Sequence, residues 1–141
     1  MGKFWQNWFS AWAVFVIVFG VVLAGGAFAA TDALTQIFFA VLGNPLPADI
    51  DQHHRVTIGL IGAVTMGWGL TYFATFKALF ALEPVKAAPM WRLVMVGSLL
   101  WYVVDSTISC ATGFWLNAVS NTLVIGLLLI LIIRSRALSG R

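Results

Sequence analysis

The sequence predicts an all-α integral membrane protein, a bundle of four transmembrane helices with a short interfacial helix after the first. Of its 141 residues, 61% are hydrophobic and only 9% are charged, whereas about 25% of the residues in soluble domains are charged. The apolar residues gather into four stretches, each close to the ~20 residues that cross ~30 Å of hydrocarbon. Because the connections between these stretches are short, we expect a single transmembrane domain over residues 1–141.

The four expected spans cover residues 8–30, 56–79, 93–112 and 117–133. The prolines all fall between these ranges, at Pro45, Pro47, Pro84 and Pro89. Since proline breaks or kinks a helix interior, the spanning helices should be continuous. The first stretch also has features of a secretory signal peptide, with a lysine, an apolar run and an Ala-Phe-Ala ending. Its length and its early tryptophans favour a span that is not cleaved.

The basic residues predict that both termini are cytoplasmic. All of the lysines and arginines except Arg55 fall on the side of the termini, at Lys3, Lys77, Lys86, Arg92, Arg134, Arg136 and Arg141. Short cytoplasmic loops carry an excess of such residues. We therefore expect a multi-pass protein of the bacterial inner membrane with its N and C termini inside.

The segment between the first two spans predicts a short amphipathic helix over residues 32–42. Thr31 is a favourable N-cap, and Asp32 suits the positive end of a helix. Apolar side chains recur at helical spacing up to Gly43, which should end the helix. Such a helix is expected to lie at the periplasmic surface of the membrane.

The third span carries an aspartate, Asp105, on a polar helix face. Steps of three and four residues place five side chains on this face, namely Ser98, Tyr102, Asp105, Ser109 and Thr112. The fourth span has Asn117 and Asn121 one turn apart. A hairpin that turns near Gly113 brings Asp105 level with Asn121 and Ser109 level with Asn117. We therefore predict these two contacts between the helices.

The sequence leaves two interpretations of Asp105 open. A charged carboxylate inside hydrocarbon costs ~3 kcal/mol on insertion scales, so Asp105 should be neutral unless a cation or water reaches it. A neutral carboxyl group can act as a structural clasp between two helices. It can equally bind and release a proton in a carrier, with Tyr102, Ser109, Asn117 and Asn121 lining the path.

Small residues in the second span predict close approach of another helix or of a flat ligand. They recur at helical spacing at Gly59, Gly62, Ala63 and Gly67. Interfaces between membrane helices are rich in small side chains because these let the backbones approach each other. Helix packing is the simpler interpretation, and a bound lipid or pigment is the alternative.

Four potential ligand residues lie just ahead of the second span, at Asp49, Asp51, His53 and His54. Carboxylates and imidazoles can hold a divalent metal ion, and one histidine can hold a chlorophyll-type pigment. Haem is a poor fit, since adjacent histidines at one membrane edge cannot ligate both faces of the macrocycle. A hydrated loop is the alternative for this segment.

The function that the sequence favours is that of an accessory or structural subunit. No pair of nucleophile and base, phosphate-binding loop or nucleic-acid motif is visible, so we expect neither an enzyme nor a nucleic-acid partner. The expected partners are membrane lipids together with a larger membrane protein or further copies of the chain. The alternative is a small dimeric proton-coupled transporter or channel that uses Asp105.

Overall fold

The structure is a computed structural model that describes residues 1–140 and is all-helical over that range. Five helices follow one another along the chain: α1 Lys3–Gly25, α2 Ala33–Val41, α3 Gln52–Ala81, α4 Pro84–Ala111 and α5 Trp115–Arg134. The predicted fold class is thus confirmed. Arg141, one of the cations used to predict the orientation, lies outside the described residues.

Four of these helices, α1, α3, α4 and α5, are long and apolar enough to cross a membrane. Helix α3 has 30 residues and α4 has 28, so each is over 40 Å long at about 1.5 Å per residue. Both therefore extend beyond the ~30 Å of hydrocarbon that a span has to cross. The chain is accordingly a multi-pass membrane protein.

The predicted end of the first span was wrong, because α1 ends at Gly25 and not near residue 30. The chain turns immediately after Gly25, and the Thr31 hydroxyl donates a hydrogen bond to the Gly25 carbonyl over 2.7 Å. Thr31 therefore satisfies a carbonyl at the end of α1, instead of capping α2 as predicted. Asp32 takes the N-cap position of α2, but its side chain makes no capping hydrogen bond there.

Helix α2 differs from its predicted range by one residue at each end. Gly43 follows it with a φ of 73°, a left-handed conformation that glycine adopts without strain. The Gly43 amide donates to the Ala40 carbonyl, which closes the last turn. The glycine stop predicted from the sequence is thus confirmed, while the position of α2 at the membrane surface stays a prediction.

Helix α4 begins nine residues before the predicted span, so Pro84 and Pro89 lie inside a helix and not between spans. Pro84 occupies the first turn, where no partner is needed for its missing amide hydrogen. Pro89 lies inside the helix and has no amide hydrogen to donate to the Val85 carbonyl. The expectation that all prolines fall in connections was therefore wrong for these two.

The chain forms two compact units, and α1 and α3 each contribute to both of them. The first unit comprises Met1–Trp12 and the chain from Ala74 onward. Its core is aromatic: Phe9, Phe76 and Trp91 are fully buried, with ring centroids 4.7 to 5.4 Å apart. Each such pair adds about 0.5–1.5 kcal/mol beyond the burial of its area.

The second unit, Ala13–Phe73, is organised around the contact between α1 and α3. Gly20 and Gly62 bring the two backbones together, since a Cβ atom on Gly20 would overlap the Met66 backbone and one on Gly62 would overlap that of Ala24. Helix α2 is held to the same unit by the buried Thr35, whose hydroxyl donates to the Val22 carbonyl over 2.6 Å.

Candidate functional site

The predicted polar residues of α4 and α5 meet at Asp105. Its Oδ1 atom accepts hydrogen bonds from Nδ2 of Asn121 at 2.6 Å, from Nδ2 of Asn117 at 3.1 Å and from the Ser109 hydroxyl at 3.3 Å. Asn117 also donates to the Ser109 hydroxyl at 2.9 Å. Both pairs predicted from the hairpin register are therefore formed. We call Asp105, Ser109, Asn117 and Asn121 the Asp105 cluster.

The turn between α4 and α5 sets this register. Gly113 has a φ of 85°, and the Phe114 amide donates to the Ser109 carbonyl over 2.7 Å. Asp105 then lies six residues before the end of α4, and Asn121 lies six residues after the start of α5. Each is about 9 Å from its helix end at 1.5 Å per residue. The cluster therefore occupies the hairpin between its turn and its middle.

The two oxygens of the Asp105 carboxyl group differ in their surroundings. Oδ1 accepts all three hydrogen bonds, whereas Oδ2 accepts none from residues 1–140. Ser109 and Asn121 are buried, but Asp105 is partly exposed and its Oδ2 is not sealed inside the chain. One oxygen of Asp105 thus holds the hairpin together, and the other reaches the surface.

Tyr102 does not belong to the Asp105 cluster, contrary to the prediction. Its hydroxyl forms a hydrogen bond with the Thr122 hydroxyl at 2.9 Å, and Thr122 is exposed. Thr122 was not predicted as a site residue, although its position next to Asn121 places it near the same helix contact. Tyr102 and Thr122 form a second polar link between α4 and α5 beside the Asp105 cluster.

The buried side chains of α5 change from polar to apolar beyond the Asp105 cluster. Beyond Asn121, the buried side chains of α5 are apolar, at Ile125, Leu128, Leu131 and Ile132. Ser98 is buried on α4, and its hydroxyl donates to the Val94 carbonyl of its own helix. On α5, the buried polar side chains are therefore confined to the end nearest the turn.

The small residues predicted for packing on α3 divide into two sets. A Cβ atom on Gly62 would overlap the Ala24 backbone of α1, and one on Gly59 would meet Ala27 in the turn that follows α1. Ala63 and Gly67 are exposed, and a Cβ atom on Gly67 would meet nothing within 4 Å. Only the first set therefore packs within the chain, while the second lies on its surface.

The four potential ligand residues near the start of α3 do not converge. Among residues 1–140, no group of three or more histidine, cysteine or acidic side chains is placed to hold a metal ion. Asp51 instead accepts hydrogen bonds from the backbone amide and the ring of His54. The amide of His54, followed by its ring, holds the pKa of Asp51 below its ordinary value. Asp49 and His53 are exposed.

An ion pair that was not predicted from the sequence joins Asp32 to Arg55. The Arg55 guanidinium donates to Oδ2 of Asp32 at 3.0 Å and to the Gly26 carbonyl at 3.3 Å. Hydrogen bonding to Arg55 holds the pKa of Asp32 below its ordinary value. The signal was present, because Arg55 is the one cation predicted on the outer side and Asp32 is one of the acids there.

Comparison with known proteins gives no relative on which to base an assignment. No protein-family model matches the sequence, and no curated protein or solved structure shows significant similarity to it. Function therefore has to be argued from the helices and from the Asp105 cluster themselves.

Proposed function

We propose that this multi-pass membrane protein is an accessory or structural subunit that assembles with a membrane-protein partner or with further copies of itself. One observation carries the proposal: the most polar feature inside the spans is bonded within the α4–α5 hairpin. Asp105 Oδ1 accepts from Ser109, Asn117 and Asn121, and each of these donors belongs to the same hairpin. The Asp105 cluster is thereby a clasp that fixes two helices.

The surface of α3 supports assembly with other helices. Ala63 and Gly67 lie one turn apart on the exposed side of this helix. Small residues at this spacing let a neighbouring helix approach closely, and van der Waals packing of this kind is a main source of helix association in lipid.

A small proton-coupled carrier is the second candidate, and the free Oδ2 of Asp105 favours it. A carboxyl oxygen that accepts no hydrogen bond from residues 1–140 can take up a proton without breaking the clasp. The apolar α5 side chains from Ile125 to Ile132 weigh against this function, because a path for a proton or a solute needs polar groups or water beyond the cluster.

A proton-flux measurement separates these two functions. The purified chain is reconstituted into liposomes that contain a pH-sensitive dye, and a potassium gradient with valinomycin drives proton entry. A clasp predicts the same proton flux for wild type, for Asp105→Asn and for empty liposomes. Flux that exceeds that of empty liposomes and is lost in Asp105→Asn would replace the subunit proposal with the carrier. Val96→Leu, an exposed change on the same helix, is the matched control.

We further propose that the protein lies in a bacterial inner membrane with both termini in the cytoplasm. The distribution of lysine and arginine supports this orientation, since Arg55 alone falls among the residues assigned to the outer side. Its pairing with Asp32 compensates part of that charge locally. On this orientation, α2 and the turn between α4 and α5 are periplasmic.

A further inference from the structure

Asp105 lies in a candidate membrane span and has no ion-pair partner among residues 1–140. His54, Arg55 and Lys86 form ion pairs with Asp51, Asp32 and Glu83, respectively. No lysine or arginine among residues 1–140 pairs with Asp105, whose hydrogen bonds come from amide and hydroxyl groups alone. Acidic side chains inside membrane spans characteristically pair with a cation or face a hydrated cavity.

Asp105 lies on α4 between two exposed aliphatic side chains. Val104 precedes Asp105 and Ile108 follows it by almost one turn, and these two side chains are 51% and 57% exposed. Together with the open Oδ2 atom they form a surface that we call the Asp105 face. Hydrocarbon cannot satisfy Oδ2, whereas a protein helix can cover the two aliphatic side chains and present a donor between them.

The depth of Asp105 selects the kind of donor that can cover it. On the proposed orientation and with the expected third span at residues 93–112, Asp105 lies about 9 Å inside the periplasmic end of α4, whereas lipid amine groups lie outside the hydrocarbon. A transmembrane helix, in contrast, can present a lysine or arginine at any depth, and its other side chains can pack on Val104 and Ile108. Charge complementarity therefore favours a basic helix over a lipid.

We propose that the Asp105 face binds a transmembrane helix of a partner protein that carries a lysine or arginine opposite Asp105. The inference rests on the proposed subunit function and specifies the partner's chemistry. In the assembled state, Oδ1 keeps its three donors within the hairpin, and Oδ2 accepts from the partner's cation. The same carboxylate thus fixes the α4–α5 hairpin and joins it to the partner.

Designed helices of known sequence test this directly. Two leucine-rich transmembrane peptides are compared, identical except that one has a lysine six residues from its outer end and the other a leucine there. Energy transfer is measured in liposomes between the labelled peptide and the protein, which is labelled through Ser139→Cys in a Cys110→Ser background. We expect the lysine peptide to bind about tenfold more tightly, the scale of one favourable polar contact between membrane helices.

Variants of the protein locate the interaction. Asp105→Asn retains an oxygen for Asn121 but removes the charge, so the preference for the lysine peptide should disappear. Asp105→Glu retains the charge and should retain the preference, while Val96→Leu should leave it unchanged. Equal binding of the two peptides to wild type would overturn the proposal without depending on the folding of any variant. A lysine preference that persists in Asp105→Asn would overturn it as well.

Different experimental results would overturn the basic partner helix and the subunit function. A native complex that survives Asp105→Asn unchanged leaves the subunit function standing and overturns the role of Asp105 in assembly. A wild-type protein that self-associates in liposomes through Asp105, and thereby excludes the lysine peptide, shows that a second copy covers the face and overturns the basic partner. A native wild-type protein that is always a single chain removes the subunit function itself.

Discussion

Asp105 accepts three hydrogen bonds through one oxygen, and this geometry defines how its substitution should act. In Asp105→Asn the remaining carbonyl oxygen can still accept from Asn121, so the loss should stay below about 1 kcal/mol, in line with polar contacts between membrane helices. Asp105→Leu leaves the amides of Asn117 and Asn121 without their acceptor and should cost roughly 1–3 kcal/mol. Reversible unfolding in mixed micelles measures both changes in free energy.

Ser106 is the control for this comparison. Its hydroxyl oxygen is buried and has no hydrogen-bond partner among residues 1–140. Ser106→Ala removes a polar group that is desolvated without compensation, so the free energy of unfolding should stay equal or rise. A loss of stability in Ser106→Ala as large as in Asp105→Leu would contradict the specific role of the Asp105 cluster.

The ion pair between Asp32 and Arg55 should make stability depend on pH in the acid range. The hydrogen bond that Asp32 accepts from Arg55 holds the pKa of Asp32 below the ordinary value of 3.8. The pair therefore stabilises the fold above about pH 4, and this contribution is lost as the pH falls through the lowered pKa. Asp32→Asn should lower the unfolding temperature at pH 7, and the difference from wild type should shrink toward pH 3.

Thermal unfolding followed by circular dichroism tests the role of this pair. Asp49→Asn is the matched control, since Asp49 is an exposed acid of the same connection and makes no ion pair with residues 1–140. Its unfolding temperature should follow that of wild type at every pH. A constant gap between wild type and Asp32→Asn from pH 7 to pH 3 would show that the charge of Asp32 does not carry the effect.

At the scale of the elements, the contact between α1 and α3 depends on glycine at particular positions. A Cβ atom on Gly62 would overlap the Ala24 backbone, so Gly62→Ala must push the helices apart and should cost about 1–3 kcal/mol. Gly67→Ala on the same helix meets nothing within 4 Å and should be neutral or stabilise by up to about 1 kcal/mol. Unfolding in mixed micelles compares the two variants, and equal losses would contradict this packing.

Much of the fold and part of the site follow from the sequence for identifiable reasons. The spacing of Asp105 and Asn121 about Gly113 predicts their contact, because a tight helical hairpin has only one register. The glycine pattern alone could not show that Gly62 packs within the chain and that Gly67 does not. Both positions suit close packing, and only the position of α1 distinguishes them. The end of α1 was predicted wrongly because Thr31 can serve either of two helices. Its hydroxyl can donate to a carbonyl at the end of α1, or its oxygen can accept from an amide at the start of α2, and the local sequence does not decide between these.

At the scale of the whole molecule, the proposed orientation predicts which positions a membrane-impermeant reagent can reach. Single cysteines are introduced in a Cys110→Ser background at Asn44, Gly2 and Ser139. With both termini inside, Asn44→Cys should react with an impermeant maleimide in intact spheroplasts, and the other two should react only after lysis. Labelling of Gly2→Cys or Ser139→Cys without lysis would contradict the orientation.

The most direct test of the subunit function is the size of the protein in its native membrane. The membrane is extracted in a mild detergent, and the complex is sized with mass and visible absorbance recorded together. Our account predicts a species larger than one 15.3 kDa chain with its detergent, containing either a second polypeptide or several copies of this one. A single 15.3 kDa chain with detergent, at every extraction condition that preserves other membrane complexes, would contradict it.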